Sequence, residues 1–269
     1  MIKAVLEHSY ADKKSCKPDM KCEFAGLGIW RRKLENDIRL NKYLAMCGVC
    51  SRREADKLIE EGKVTIDGEI AKVGSRVMGT EKVMVDDRVV KPSGKKVVFA
   101  FYKPLGVVVT EHDEHAEETI MDYIDYPERL TYAGRLDKDS EGLLLLSNDG
   151  DFINAAMKGA HGHEKEYQVR LDKEVTKEVM ARLAKGIYII DLKRRTKPCI
   201  IEKTGRCQVK MILSEGMNRQ IRRMWKAVGY TVKSIKRIRI INVRLEGLRP
   251  GESRQIVGEE LKELYRRVK

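Results

Sequence analysis

The chain has 269 residues, 42% of them hydrophobic, enough for one large or two modest domains with a real core. Lysine and arginine outnumber aspartate and glutamate 54 to 41, a formal net charge of +13 that points to a polyanionic partner. No apolar stretch approaches bilayer-spanning length, no basic amphipathic anchor stands out, and residues 1–30 lack the core of a signal peptide, so the expectation is a cytoplasmic protein with no membrane partner.

Residues 1–37 are charged and weakly periodic, with Gly26 and Gly28 breaking any pattern, and are expected to form a poorly ordered extension; Met20 is an alternative start. Organisation begins at Ile38. Leu40, Tyr43, Leu44 and Cys47 fall on one helical face. Ser51-Arg-Arg-Glu54 reads as a capping box opening a second helix that buries Ala55, Leu58 and Ile59, and Gly62 stops it. Val64–Ile66, a turn at Asp67-Gly68 and Val83–Val85 read as strands of a small sheet. Arg39, Lys42, Arg52, Arg53, Lys57 and Lys63 give this part a basic surface, which suits RNA, although any one of them alone reads as a solvated cation. The six cysteines are expected as reduced thiols. Cys47-x-x-Cys50, His112-x-x-His115 and His161-x-His163 are read as loop or helix-end residues rather than metal ligands, because no second cluster completes a set.

Lys91–Lys96 is a polar linker. A new domain opens with a strand at Val97–Tyr102, a turn at Lys103-Pro-Leu-Gly106, then Val107–Thr110. An acidic loop at 111–118 leads to a helix over Thr119–Tyr126, ending before Pro127. Leu143–Leu146, bounded by Gly142 and Ser147-Asn-Asp-Gly150, predicts a buried strand; the charged loop Arg135–Asp139 precedes it, and a carboxylate on a loop pinned to a strand is well placed for chemistry. A short helix follows at Asp151–Met157. Glu164–Leu171 alternates as a strand with Tyr167, Val169 and Leu171 inward, and Thr176 caps a helix to about Lys185. Further strands run through Ile201 and over Gln208–Leu213.

Between Gly216 and Arg244 there are nine Lys or Arg and no Asp or Glu, too one-sided for a salt-bridged surface helix. Met217–Trp225 is predicted helical with Ile221, Met224, Trp225 and Val228 inward; Arg219, Arg222, Arg223 and Lys226 occupy more than one face, so some must meet a partner. A closing strand at Gly251–Val257 and a helix over 258–269 end the chain.

The string Gly134-Arg-Leu-Asp-Lys-Asp-Ser-Glu-Gly-Leu-Leu-Leu-Leu-Ser-Asn-Asp-Gly150 resembles the active-site signature of the RsuA-type pseudouridine synthases, which isomerise uridine in ribosomal RNA. Three further stretches match that family in order: Lys103-Pro-Leu-Gly-Val-Val-Val-Thr110, Lys165-x-Tyr167-x-Val169 and Glu215-Gly-Met-Asn-Arg-Gln-Ile-Arg-Arg-Met224. Arg39-Leu-Asn-Lys-Tyr-Leu44 together with the run from Gly48 to Gly68 resembles an S4 domain. The resemblance, which begins after the extension at 1–37, implies an α+β architecture: a small S4 RNA-binding domain with linker at 38–96, and at 97–269 a mixed, mainly antiparallel sheet domain with flanking helices that carries catalysis. It also implies a monomer without cofactor or metal, acting on ribosomal RNA, free or in an assembling subunit. Lys236-Arg-Ile-Arg-Ile-Ile-Asn-Val243 and the last helix point to the large-subunit (23S) branch.

By the same resemblance Asp137 is the catalytic residue, Tyr167 packs on the target base, and a basic residue of the third motif, by position Arg222, pairs with Asp137. RNA contacts are expected from Arg39, Lys42, Arg52, Arg53, Lys57, Arg135, Arg219 and Arg223. The isomerisation breaks a C–N bond, turns the base and rejoins it through carbon. One carboxylate must serve as nucleophile or as a base at the ribose, and the residues leave both routes open. Two other classes compete: an S4-type assembly factor without turnover, and a hydrolase using Asp137 with Asp139. The same isomerisation on 16S rRNA or tRNA is a further variant.

Overall fold

The computed structural model describes residues 37–92, 94–111, 116–157 and 162–269. The extension expected to be poorly ordered, the Met20 start, the His112/His115 pair and His161 lie outside them. The described residues divide into two compact units: one holds residues 37–44 with Ser51–Val90, the other Lys91–Lys269 with Ala45–Cys50.

Helix α1 (Leu40–Met46), whose residues up to Leu44 belong to the first unit, buries Leu40, Tyr43 and Leu44, the face its spacing predicts. Helix α2 (Arg52–Glu60) opens on a complete capping box: Ser51 Oγ accepts from the Glu54 amide at 3.3 Å, and Glu54 Oε2 accepts from the Ser51 amide at 2.7 Å. Ala55 and Ile59 are buried and Leu58 is half-buried, so the apolar stripe is narrower than its sequence implies. A four-stranded antiparallel sheet follows, built on β1 (Val64–Ile66), β2 (Glu69–Ile70), β3 (Val83–Val85) and β4 (Arg88–Val89).

The second unit is organised on a nine-stranded sheet among the described residues. Its strands are β5 (Val98–Lys103), β6 (Thr131–Ala133), β7 (Glu141–Ser147), β8 (Lys165–Leu171), β9 (Ile200–Gly205), β10 (Gln208–Leu213), β11 (Val232–Ile240), β12 (Val243–Arg244) and β13 (Ser253–Gln255). The main path runs β9-β10-β8-β11-β7-β5-β13, with β6 on β7 and β12 on β11. Every pairing is antiparallel except β11 with β7, where Arg237 lies opposite Gly142.

That parallel seam explains Gly142. A Cβ there would stand 2.3 Å from Arg237 O, and its φ of +113° disfavours any other residue. The four consecutive leucines that follow reflect burial on both faces. Leu144 and Leu146 join Phe101, Val169, Met211 and Trp225 in one core. Leu143 and Leu145 join Val98, Phe152 and Leu264 in the other, under α3 (Gly150–Met157) and the terminal helix (Gly258–Val268).

Two elements differ from expectation. The Thr119–Tyr126 helix is a single 3-10 turn, Ile120–Tyr123, capped by Thr119; Ile124 is already extended, three residues before Pro127. The helix expected from Met217 starts at Gln220, because Arg219 adopts a left-handed conformation with φ of 50°. We number Lys177–Ala184 as α4 and Gln220–Lys226 as α5.

Candidate active site

A cavity of about 670 Å³ opens on the face of the second unit that carries Tyr167. Strands β8, β10 and β11 supply Lys165, Tyr167, Leu213, Ile235 and Arg237; the loop ahead of β7 supplies Arg135 and Asp137, and the turn into α5 supplies Arg219.

The Arg135–Asp139 loop is fixed at almost every residue. Ser140 donates its amide to Asp137 O at 3.0 Å, and Gly106, in the turn after β5, donates to Lys138 O at 2.9 Å. Arg222 donates to Asp139 O at 2.6 Å and to Val232 O at 3.1 Å. Arg237 reaches Arg135 O at 3.5 Å while its Nε donates to Leu143 O at 2.7 Å. A backbone so restrained aims a carboxylate without relying on the side chain's own entropy.

Charge around the loop is strongly arranged. Arg219 makes a bidentate pair with Asp139, at 3.1 and 2.8 Å, and its Nη1 also lies 3.7 Å from Asp137 Oδ2. Hydrogen bonding from Arg219 holds the Asp139 carboxyl below its ordinary range, against partial burial. Behind the loop Lys103 is fully buried and donates to Pro104 O at 2.6 Å; burial pulls its amine down to about 8, opposed by Asp139, Glu141 and Asp137. Lys165 donates to His163 O at 3.2 Å, and burial with Arg237 beside it brings this amine to about 8.

The turn carrying Arg219 has its own clamp. Glu215 Oε1 accepts from the Lys197 amide at 2.8 Å and from Gln220 Nε2 at 2.9 Å, while Gln220 Oε1 accepts from the Met217 amide at 3.0 Å. These bonds hold Arg219 in its left-handed conformation, pointed at the acidic loop.

Residues 97–227 match the RNA pseudouridylate synthase family, and residues 38–80 match the S4 domain. The dual-specificity RNA pseudouridine synthase RluF of Escherichia coli (strain K12) is 39% identical over 87% of this chain and 80% of its own length. Ribosomal large subunit pseudouridine synthase B of Bacillus subtilis (strain 168) is 34% identical over 84% of this chain and 95% of its own. A solved pseudouridylate synthase superposes with a TM-score of 0.63 at 33% identity, covering 84% of this chain and 99% of that one. The chain belongs to the RNA pseudouridine synthase family.

Within this synthase, the structure brings Asp137, Tyr167, Arg135 and Arg219 to one cavity. Arg222 lies elsewhere than its motif position implies: its guanidinium sits 3.2 Å from Asp139 Oδ2 and clamps the Asp139 carbonyl, and among the described residues it is Arg219 that comes within 4 Å of Asp137. The left-handed residue ahead of α5 shifts the phase by which the two arginines are presented, which helical spacing cannot show. Arg223 pairs with Asp191 at 2.5 Å. In the first unit Arg39, Arg52, Arg53 and Lys57 are exposed and Lys42 is half-buried.

Arg237 and Lys165 are cavity residues that the sequence did not single out. Arg237 is 3% exposed, and its strand pairs across two register shifts that blur the two-residue alternation. The signal for Lys165 was present in its place two residues before Tyr167, which puts both side chains on one face.

Proposed function

We propose that this synthase isomerises a specific uridine of 23S ribosomal RNA, with Asp137 as the essential carboxylate. The supporting observation is the placement of Asp137: a half-exposed carboxylate on an immobilised loop, at the wall of a cavity that also holds the Tyr167 ring and the Arg219 guanidinium. A uridine turned out of its stack fits such a cavity, with Tyr167 against the base and Asp137 toward the ribose. The carboxylate attacks C1′ or takes a proton from C2′, and either route breaks the N1–C1′ bond and frees the base from the ribose. Arg219 orients the carboxylate, and Arg222 steadies the loop through the Asp139 carbonyl. Unstacking costs a few kcal/mol, offset by phosphate contacts.

The proposed division of labour follows the chain: residues 38–96 form the RNA-docking domain, through Arg39, Lys42, Arg52, Arg53 and Lys57, and residues 97–269 form the catalytic domain. Arg135 and the Arg223 region extend the basic surface toward the substrate strand. The protein acts as a monomer in the cytoplasm, on free or assembling large-subunit RNA. The choice of 23S is supported by the large-subunit name of the Bacillus subtilis relative.

The test is a pseudouridine map of total RNA from cells with and without the protein. The expected result is loss of a discrete 23S site; a site lost in 16S rRNA or tRNA would redirect the substrate, and an unchanged map would overturn the reading.

A further inference from the structure

Lys165 and Arg237 are two cations in one cavity that lack acidic partners among the described residues. They come from neighbouring strands: Arg237 lies directly across from Tyr167, and Lys165 two residues before Tyr167, so all three face the same side of the sheet. Arg237 spends Nε on Leu143 O and Nη1 on Arg135 O, and its buried Nη2 has no hydrogen-bond partner. Lys165 Nζ donates once, to His163 O, leaving two N–H groups unused. Among the described residues no carboxylate lies within 4 Å of either cation.

The nearby acids are committed elsewhere. Asp137 faces Arg219, Glu215 is taken by Lys197 and Gln220, and Glu141 accepts from Tyr102 at 2.7 Å. Two desolvated cations side by side repel one another and forfeit their hydration. That arrangement is costly in the empty cavity and favourable once an anion enters it.

The proposed reaction generates such an anion. On either route the N1–C1′ bond breaks with its electron pair leaving on uracil, and the negative charge spreads over N1, O2 and O4. It persists until C5 bonds to C1′: on the first route the C1′–O ester bond to Asp137 breaks and the carboxylate is restored, and on the second the proton taken by Asp137 returns to C2′. C5 then gives up its proton to water and N1 takes one up. We propose that Lys165 and Arg237 form the anion site that holds the detached uracil while it turns, donating N–H groups to its ring oxygens and nitrogen. The inference rests on the reading given under Proposed function. A backbone phosphate is the competing anion. The walls favour the base: Tyr167, Leu213 and Ile235 present flat apolar surface beside the cations, whereas the exposed Arg135 and Lys138 lie on the loop, where a phosphate keeps its water.

Lys165→Met and Lys165→Arg are compared with the parent in single-turnover assays, using total RNA from cells lacking the protein and reading pseudouridine at the affected site. Lys165→Met is expected to slow the chemical step by about 100-fold, the scale for removing one charge-stabilising donor, with RNA affinity within a few-fold; Lys165→Arg restores much of the rate. Should Lys165→Met melt early, Lys165→Gln removes the charge but keeps a polar donor and gives the same reading. A parental rate in the Met and Gln variants overturns the proposal. So does a defect that appears wholly as weaker, more salt-sensitive binding, which assigns the site to a phosphate. If the parent itself forms no pseudouridine, it is the functional reading that fails.

Discussion

Arg219 Nη1 stands 3.7 Å from Asp137 Oδ2 while the same guanidinium grips both oxygens of Asp139. One cation therefore couples the two carboxylates of the loop, and it is delivered by a residue with left-handed backbone that Glu215 and Gln220 hold in place.

Arg219→Met and Arg222→Met are expected to fail differently. The first removes the cation beside Asp137, and misaim of a reacting group costs about 100-fold, so kcat falls with little change in melting temperature. The second releases the Asp139 and Val232 carbonyls and is expected to cost about 1–3 kcal/mol of stability, the range for a charged hydrogen bond in a partly buried setting. The Asp139 carboxyl lies below its ordinary range in the fold, so its contribution is present above the ordinary carboxylate pKa and lost as pH falls through the lowered value. The small stability difference between parent and Arg219→Met is accordingly level near neutrality and vanishes in acid. Denaturant melts at several pH values, run beside single-turnover rates, check both.

Gly142→Ala tests the seam between β7 and β11. The added methyl meets Arg237 O at 2.3 Å, backbone against backbone, with no flexible side chain to yield. Overpacking of this kind costs about 1–3 kcal/mol, with left-handed strain in addition. Because Arg237 also bonds to Arg135 O, activity is expected to fall more than the melting temperature alone explains. An alanine variant with parental stability and rate would show that the two strands separate freely.

The alkaline limb of kcat/KM tests the charge on Lys165. Its amine stands at about 8, so it is cationic below neutrality and loses its proton as pH rises through that value. The rate is expected to be level at lower pH and to fall through about 8. The groups around the amine are Arg237 across the sheet, His163 and Tyr167 from its own segment, Asp137, Arg135 and Lys138 from the loop, and Glu215 and Arg219 from the turn before α5. Lys165→Arg, charged throughout, is expected to lose the limb. A limb that persists in this variant assigns it to another group, with Lys103, also at about 8, the first to examine.

Deleting the chain ahead of Lys91, which takes with it only Ala45–Cys50 of the second unit, is expected to leave a folded unit that binds RNA more weakly and with a shallower salt dependence, since exposed Arg39, Arg52, Arg53 and Lys57 go with the deleted part. Salt titrations of both forms check this. Equal slopes would mean these cations meet no phosphate.

The parts of the fold legible in the sequence are those whose pattern has one cause. Leu143–Leu146 can hardly be other than a strand covered on both faces, and Ser51 with Glu54 announces a helix start through two reciprocal bonds. Tyr167 alternates cleanly with Val169 and Leu171. Legibility fails where tertiary contacts set the local geometry. Arg219 is left-handed because Gln220 and Glu215 tie down the turn, so the order of Arg219, Arg222 and Arg223 along the chain does not reveal which one meets Asp137. Arg237 is a buried cation on a central strand, contrary to every expectation from hydropathy, and its partners are carbonyls from segments about a hundred residues away.

The most direct measurement is pseudouridine formation by Asp137→Asn on total RNA from cells lacking the protein, with binding measured on the same preparation. The substitution keeps the shape of the side chain and removes its charge. The expected result is no detectable pseudouridine at the affected site, with RNA affinity within a few-fold of the parent. Substantial turnover by Asp137→Asn would contradict the assignment of the chemistry to this carboxylate.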